Sequence, residues 1–304
     1  MNRTIFKQIY GFFLLSRLPF HIVGILPFIL GTVLASYDGY SVQFPVLILG
    51  IAGTVCIMLS AYYAGEYYDQ EEDNLSHQVQ KSSFAGGSQA IQLGLVHPEQ
   101  ARVAAILALT AAGVIGLLLW LLLHTGPLTI PLGILGMVGG YLYSARPVRW
   151  VSRGLGELWI ALCYGWLSLT AAYYLQAGNI PSSVFILSIP IASSIAAVII
   201  MNEFPDYETD KKAGKKNILV RIGMKRGSLL YCFLCLTAIG TAGIISQYYS
   251  AFYLMTPCIS GGIILTLLMI KKMYREITIR EWMCGGTILL NCGIIITFIT
   301  IFIR

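Results

Sequence analysis

Nine stretches of apolar residues dominate this sequence, and their length sets what the chain can fold into. A helix needs about 20 apolar residues to cross roughly 30 Å of hydrocarbon. The stretches lie near 19–36, 45–66, 103–123, 126–143, 155–176, 183–202, 228–247, 251–270 and 283–302. Several contain Gly or Pro, which membrane helices tolerate when neighbouring helices pair the freed backbone groups. The pattern predicts an all-α integral membrane protein with nine transmembrane helices.

Composition agrees with lipid as the solvent. Of the 304 residues, 57% are apolar and 11% are charged, against roughly 25% charged in an ordinary soluble domain. The fourth stretch is short and rich in glycine, and small residues let membrane helices pack closely. We expect one bundle, and therefore one membrane domain that covers residues 1–304.

The positions of the basic residues predict the orientation of the chain. If the N-terminus is cytoplasmic, 19 of the 20 Lys and Arg residues fall on the cytoplasmic side and only Arg304 falls outside, as the positive-inside rule requires. The cytoplasmic loops are then near 67–102, 144–154 and 203–227. The net charge of +6 reports topology, so the lipid bilayer and not a nucleic acid is the predicted partner. We expect a multi-pass protein of the cytoplasmic membrane.

Acidic residues are concentrated in two short segments with the same spacing. Nine of the fourteen Asp and Glu residues fall in 66–73 and 203–210. Both segments read Glu-x-x-Asp-x-x-x-Asp, at Glu66, Asp69 and Asp73 and, 137 residues later, at Glu203, Asp206 and Asp210. Each motif, at 65–73 and 202–210, ends a predicted helix on the cytoplasmic side. The repeat predicts an internal duplication, and hence a bundle with two related halves.

The motif spacing places three carboxylates on one face of a helix. Like charges at this spacing destabilise a helix by roughly 0.2–0.5 kcal/mol per pair, and burial at a membrane surface adds to that cost. Oxygen ligands without His or Cys suit Mg²⁺, which binds one or two carboxylates together with substrate phosphates. The two motifs therefore predict magnesium ions on either side of one diphosphate. The alternative is that both segments are solvated helix ends.

Basic residues near the motifs have two explanations. Lys81 follows the first motif, and a third cytoplasmic loop contributes Arg146 and Arg149 beside Tyr143. Lys and Arg at these places could bind phosphate oxygens, and the positive-inside rule alone also accounts for them. From the residues themselves, both explanations stay open.

These motifs resemble the UbiA-type intramembrane prenyltransferases over nearly the whole chain. The second motif, with Asn202, Asp206 and Asp210 followed by Lys-Lys-Ala-Gly-Lys-Lys-Asn-Ile-Leu-Val-Arg-Ile-Gly, is similar to that family's Asp-rich motif. Segments 84–94 and 153–157 look most like the branch that prenylates 1,4-dihydroxy-2-naphthoate. The first motif departs from the family, because Gly65 and Glu66 stand where Asn-Asp is usual.

The resemblance implies transfer of a polyprenyl group from an allylic diphosphate to an aromatic quinone precursor, with Mg²⁺ as cofactor. The acceptor it favours is 1,4-dihydroxy-2-naphthoate, whose prenylation is a step of menaquinone biosynthesis; the alternative is another acceptor, such as 4-hydroxybenzoate, another quinone precursor or a non-aromatic compound. The implied metal ligands are Glu66, Asp69, Asp73, Asp206 and Asp210, and the implied catalytic groups are the same four aspartates with Tyr143. The implied substrate-binding residues are Arg17, Lys81, Ser88, Arg146, Arg149 and Asn202. The active site is expected to face the cytoplasm.

Other functions are weaker fits to the sequence. A transporter would also contain repeats and intramembrane charge, but no predicted helix carries a charge at its middle. A phosphatidyl-group transferase would use Asp and Mg²⁺, and its Asp-Gly-x-x-Ala-Arg signature is missing. A structural scaffold gives no reason for paired acidic motifs.

Overall fold

A computed structural model describes residues 2–71, 73–74, 84 and 87–304, and every regular element in these residues is helical. The helices are α1 (Asn2–Leu15), α2 (Ile22–Tyr37), α3 (Phe44–Tyr68), α4 (Pro98–Leu121), α5 (Thr129–Leu142), α6 (Gly156–Ala177), α7 (Ser182–Lys212), α8 (Ile218–Tyr248), α9 (Phe252–Ile270) and α10 (Ile277–Ile303). Short 3₁₀ turns occupy Leu18–His21, Trp150–Ser152 and Met273–Arg275. The predicted all-α class is confirmed.

Eight segments of the described chain are long and apolar enough to cross a membrane. They are Ile5–Tyr37, Phe44–Tyr68, Pro98–Leu121, Gly156–Ala177, Ser182–Lys212, Ile218–Tyr248, Phe252–Ile270 and Ile277–Ile303. The predicted stretch 126–143 forms α5, whose 14 residues are fewer than the about 20 that a full span needs. The protein is thus a multi-pass membrane protein.

Two elements differ from the sequence prediction. Helix α7 continues ten residues past the apolar stretch 183–202 and ends at Lys212, so the predicted loop 203–227 begins with helix, and the second acidic motif is helical as its spacing predicted. Helix α1 was not predicted, since Lys7 interrupts its apolar residues. The side chains of Phe6, Ile9 and Phe13 are exposed on α1, whereas Leu15 is fully buried. This short helix therefore presents apolar side chains on its outer surface.

Close helix contacts depend on glycine. Helix α2 packs on α6 and α10, and α7 packs on α6, α8 and α10. A Cβ on Gly31 of α2 would lie 2.3 Å from the carbonyl oxygen of Leu169, and one on Gly165 of α6 would lie 2.4 Å from Ala192 Cα. Small residues at such crossings permit the backbone approach that drives association in lipid.

The middle of α6 is a π-helix over Ala161–Leu167. Such turns widen a helix locally and are frequent at functional sites. Cys163, Tyr164 and Leu167 from this turn line the large internal cavity of the protein. The irregular turn thereby sets one wall of that cavity.

Candidate active site

A cavity of about 400 Å³ lies among helices α2 to α7. Its charged side chains all come from the helix ends on one side of the bundle, and polar side chains accompany them there: Arg17, Asp69, Asp73, Glu203, Asp206, Asp210 and Lys215, with Tyr143, Ser144, Asn202 and Asn217. The remainder is lined largely by aliphatic, aromatic and glycine residues, among them Phe28, Ile57 and Trp159. The cavity therefore joins an ionic end to a long apolar interior.

Asp69 follows directly on α3, and two side chains from the segment after α5 hold its carboxylate. Arg149 Nη2 lies 2.7 Å from Asp69 Oδ1, and Ser144 Oγ donates to Asp69 Oδ2 at 3.0 Å. The Arg149 and Asp69 side chains are only 17% and 15% exposed, so water screens the pair weakly. A short charge-assisted bond of this kind is among the stronger hydrogen bonds in proteins. Arg149 thus fixes the orientation of Asp69.

Asp73 faces the backbone of Gly87. A Cβ on Gly87 would lie 2.3 Å from Asp73 Oδ2, and Gly87 has a φ of +71°, a region that favours glycine. Burial, reinforced by the negative charges of Glu66 and Asp69, raises the pKa of Asp73 to about 8. Like charges and burial both disfavour the ionised carboxyl. In the absence of a bound cation, Asp73 is therefore protonated more readily than an exposed aspartate.

Glu66 is turned away from the cavity lining and toward Arg17. Arg17 Nη2 lies 2.8 Å from Glu66 Oε1, and the Ser88 backbone N–H donates to the same oxygen at 2.7 Å. The Glu66 side chain is fully buried, whereas that of Arg17 is 33% exposed and lines the cavity. Glu66 therefore does not line the cavity itself, and its carboxylate binds Arg17, which does.

Asp206 and Asp210 lie one turn apart on α7 and both line the cavity. Lys215 Nζ lies 3.3 Å from Asp210 Oδ1, and Asn217 Nδ2 donates to Asp210 Oδ2 at 2.7 Å. Burial alone would lower the pKa of Lys215, but the carboxylates of Asp210 and Asp69 outweigh it and raise that pKa above its usual value. Lys215 therefore keeps its positive charge at the ionic end.

The structure brings most of the predicted site residues to one place. The cavity is lined by Arg17, Asp69, Asp73, Tyr143, Asn202, Asp206 and Asp210. Glu66 and Arg149 contact these residues without lining the cavity, and Ser88 contributes its backbone N–H to Glu66. Arg146 is exposed and lies outside the lining. Lys81 lies outside the described residues.

Sequence reasoning gave no site role to Lys215 and Asn217, which line the cavity together with Glu203 of the second acidic motif. Lys215 stands in a run with three other lysines between 211 and 216, and composition does not separate it from them. The signal is Gly214, whose φ of +74° is typical of the glycine that ends a helix and turns the chain back. After this turn the Lys215 backbone N–H donates to the Asp210 carbonyl at 2.9 Å, which returns its side chain to the acidic motif.

The donor set fits Mg²⁺. Four Asp carboxylates share the ionic end with the amide of Asn202, whose Oδ1 is buried without a donor among the described residues. Within the same described part of the chain, no three Asp, Glu, His or Cys side chains converge tightly enough to hold a metal alone. Mg²⁺ characteristically completes its shell with waters and substrate phosphates. The residues present suit an ion that shares its coordination with a phosphate.

A sequence model of the UbiA prenyltransferase family matches residues 24–284. The chain belongs to the UbiA prenyltransferase family. It is therefore a prenyltransferase enzyme, and the family resemblance of its acidic motifs is confirmed.

Several curated relatives in the UbiA family share the name 1,4-dihydroxy-2-naphthoate octaprenyltransferase. The 1,4-dihydroxy-2-naphthoate octaprenyltransferase of Bacillus subtilis is 25% identical over 239 residues, covering 76% of this chain and 74% of its own. That of Mycobacterium tuberculosis is 26% identical over 238 residues, covering 78% and 76%. Over a shorter segment, the Synechocystis 2-carboxy-1,4-naphthoquinone phytyltransferase is 37% identical across 89 residues, 29% of each chain. The similarity thus extends over most of this UbiA protein.

Solved structures share the fold of this UbiA protein. A digeranylgeranylglyceryl phosphate synthase aligns with a TM-score of 0.68 and 17% identity, covering 98% of this chain and 99% of its own. A UbiA homologue from Archaeoglobus fulgidus bound to GPP and Mg²⁺ aligns with a TM-score of 0.65 and 17% identity, covering 97% and 100%. At this identity the likeness establishes the fold.

Proposed function

We propose that the protein transfers a polyprenyl group from an allylic diphosphate to 1,4-dihydroxy-2-naphthoate in a Mg²⁺-dependent reaction. The observation that carries this proposal is the shape of the cavity, with acidic and basic groups at one end and an apolar interior behind them. A prenyl diphosphate has the same two parts, an anionic head and an apolar tail. The names of the curated relatives support the naphthoate acceptor.

In this proposal Asp69, Asp73, Asp206 and Asp210 hold Mg²⁺, with Asn202 assisting. The metal, when bound, neutralises the negative charge that develops on the departing diphosphate. Glu66 has a different role from the one its motif implied, because its carboxylate supports Arg17.

The basic residues of the cavity are proposed to hold the diphosphate. Arg17 and Lys215 line the ionic end, and cations placed where charge develops lower the barrier to ionisation. The allylic C–O bond breaks with its electron pair on the diphosphate, and the aromatic ring supplies the electrons of the new C–C bond. Tyr143 and Tyr164 line the path, where aromatic faces favour a neighbouring cation.

We further propose nine membrane crossings in one bundle with two related halves, a cytoplasmic N-terminus, and an active site that faces the cytoplasm. Helix α5 is then a crossing in addition to the eight long segments, and the residues around it extend it to the length that a crossing needs. The one-sided distribution of Lys and Arg supports this topology, and we propose the cytoplasmic membrane as the location of the protein.

The acceptor is tested by product analysis. Purified protein in detergent receives Mg²⁺, a polyprenyl diphosphate, and either 1,4-dihydroxy-2-naphthoate or 4-hydroxybenzoate, and products are identified by mass spectrometry. We expect prenylated naphthoate product with the first acceptor only. Product with 4-hydroxybenzoate alone would keep the reaction type and reject the naphthoate acceptor.

A further inference from the structure

Helix α1 presents a continuous apolar face on the outside of the protein. Five large side chains share one side of the helix and are exposed: Ile5, Phe6, Ile9, Tyr10 and Phe13. The opposite side packs on the bundle through Gly11 and Leu15, which are buried. An exposed apolar face of this size marks a surface that binds a membrane or another protein.

The contacts of α1 place it at the level of the ionic end of the cavity. A Cβ on Gly11 would lie 2.6 Å from Val96 Cγ2, and Val96 lies just before α4. Ser16, directly after α1, shares a hydrogen bond of 2.8 Å with the hydroxyl of Tyr63, which is in the last two turns of α3. A side-chain hydrogen bond joins these ends of α3 and α4. Helix α1 therefore runs along this level of the bundle and does not cross it.

The length of the first apolar segment agrees with this placement. Ile5–Tyr37 is an apolar stretch of 33 residues, about 50 Å of helix, whereas a crossing needs about 30 Å. The stretch is interrupted after α1, because Arg17 has a φ of +44°, outside the right-handed helical region. Residues 18–37, which follow this break, are enough for one crossing. Helix α1 is thus not needed to span the membrane.

The charge of α1 suits the headgroup region of a bilayer. A helix with one apolar face and basic residues beside it lies in the plane of the interface, with its apolar side chains inserted about 5–10 Å. Lys7 is exposed at the edge of the apolar face, and the sequence of the helix also contains Arg3 and no Asp or Glu. Each basic residue strengthens binding to an anionic lipid surface about fivefold.

Helix α1 also fixes the position of Arg17, which lines the cavity. The Arg17 backbone N–H donates to the Leu14 carbonyl at 3.1 Å, and the Ser16 N–H donates to the Phe12 carbonyl at 3.0 Å. From this position Arg17 Nη2 reaches Glu66 Oε1 at 2.8 Å. A displacement of α1 would therefore move the guanidinium at the ionic end.

We propose that α1 is an interfacial helix that binds an anionic lipid surface at the level of the ionic end, and that this binding holds Arg17 in position for the prenyl diphosphate. A lipid surface fits better than a protein, because the apolar face lies at the boundary of a membrane-spanning bundle and has Lys7 at its edge. The location of α1 is independent of the proposed prenyl transfer, whereas its effect on Arg17 rests on that function.

The location is tested with the full-length protein in phospholipid vesicles. Phe13→Trp places a reporter within the apolar face, and its emission is obtained as the difference from the wild type. We expect strong quenching by lipids brominated along the acyl chain near the headgroup, and weak quenching by aqueous iodide. Quenching by iodide alone would place α1 in water and overturn the proposal. Protection from both quenchers would show that a second copy or another protein covers the face, and would also overturn it.

The preference for anionic lipid is tested with the same reporter in vesicles that contain equal amounts of phosphatidylcholine and phosphatidylglycerol. The bromine is carried by one lipid or by the other. We expect brominated phosphatidylglycerol to quench more strongly, and Lys7→Gln in the Phe13→Trp protein to reduce that difference. Equal quenching by the two lipids would reject the anionic surface as the partner.

The effect on Arg17 is tested by the KM for geranyl diphosphate in these vesicles. The double variant Phe6→Ser, Ile9→Ser removes apolar surface from α1, and Phe6→Leu, Ile9→Leu is the matched control that keeps it. We expect the serine variant to raise KM about tenfold or more, the loss expected for one hydrogen bond to a charged group, with the melting temperature of the leucine control.

A KM equal to that of the leucine control would overturn the link between α1 and Arg17. A fall in kcat and in melting temperature without a change in KM would overturn it as well. If the wild type transfers no prenyl group in any vesicle, the proposed function fails, and with it the effect on Arg17. The quenching results still decide where α1 lies, so the two failures are distinguishable.

Discussion

At the scale of single residues, three carboxylates at the ionic end each bond to a different basic residue. Asp69 is bonded to Arg149, Glu66 to Arg17, and Asp210 to Lys215. These pairs explain how so many carboxylates are held together beside an apolar cavity, since buried charges are tolerated when they are paired and hydrogen-bonded. The Arg17–Glu66 pair makes a prediction that substitution can test.

Arg17 and Glu66 should respond unequally to substitution. Arg17→Met leaves the fully buried Glu66 carboxylate without its cation, and breaking such a pair typically costs about 3–5 kcal/mol. Glu66→Gln leaves an arginine that is 33% exposed and can still be solvated, so its cost is smaller. Thermal unfolding of the two variants in the same detergent checks the order. A larger drop in melting temperature for Glu66→Gln would contradict it.

Gly87 and Gly94 offer a matched pair of substitutions. Both have positive φ, but a Cβ on Gly87 meets Asp73 whereas one on Gly94 meets nothing within 4 Å. Alanine at either site incurs backbone strain of about 1 kcal/mol, and only Gly87→Ala also displaces Asp73. We expect Gly87→Ala to weaken Mg²⁺ activation several-fold more than Gly94→Ala, measured as the Mg²⁺ concentration for half-maximal turnover. Equal effects would show that the contact with Asp73 is unimportant.

At the scale of the elements, the sequence predicted helix positions well because lipid imposes a length on apolar stretches. It did not predict that α7 runs on to Lys212, since the charged residues past Asn202 do not look like a span. The sequence also did not predict the π-helical turn of α6, because nothing in Ala161–Leu167 distinguishes it from regular helix. Both features shape the cavity, so the walls of the site were less predictable than its acidic motifs.

The crossing of α6 and α7 can be tested at Gly165. A Cβ there would lie 2.4 Å from Ala192 Cα, a backbone atom, whereas a Cβ on Gly240 of α8 meets nothing within 4 Å. Overpacking costs about 1–3 kcal/mol, while alanine in an open helical position gains up to about 1 kcal/mol over glycine. Gly165→Ala should therefore lower the melting temperature and Gly240→Ala should not. A stable Gly165→Ala variant would mean that the helices separate easily.

At the scale of the whole molecule, two acidic motifs distant in sequence meet at one cavity. Their repeated spacing predicted a shared site, and the structure brings all four aspartates to its lining. Composition does not separate Lys215 from the three lysines beside it, because its contact with Asp210 depends on the turn at Gly214. Pairings across separate helices follow from tertiary packing, which spacing along the chain does not record.

The proposed topology places the two termini on opposite sides of the membrane. With nine crossings, alkaline phosphatase fused after Arg304 should be active and a fluorescent protein fused there should stay dark, because each folds on only one side. A fluorescent protein fused at the N-terminus is the control and should be bright. Fluorescence from the C-terminal fusion would indicate an even number of crossings and reject the assignment of α5 as a crossing.

The central claim, that the acidic end of the cavity releases diphosphate with Mg²⁺, is tested most directly by one assay. Diphosphate release is measured from a polyprenyl diphosphate and 1,4-dihydroxy-2-naphthoate for the wild type, Asp206→Asn and the control Glu208→Gln, an exposed residue of the same helix, with Mg²⁺ and with EDTA. Losing a group that stabilises transition-state charge costs about 100-fold or more. We expect release by the wild type and Glu208→Gln with Mg²⁺ only, and a loss of that size in Asp206→Asn. Equal release by all three proteins, or release that survives EDTA, would contradict the account.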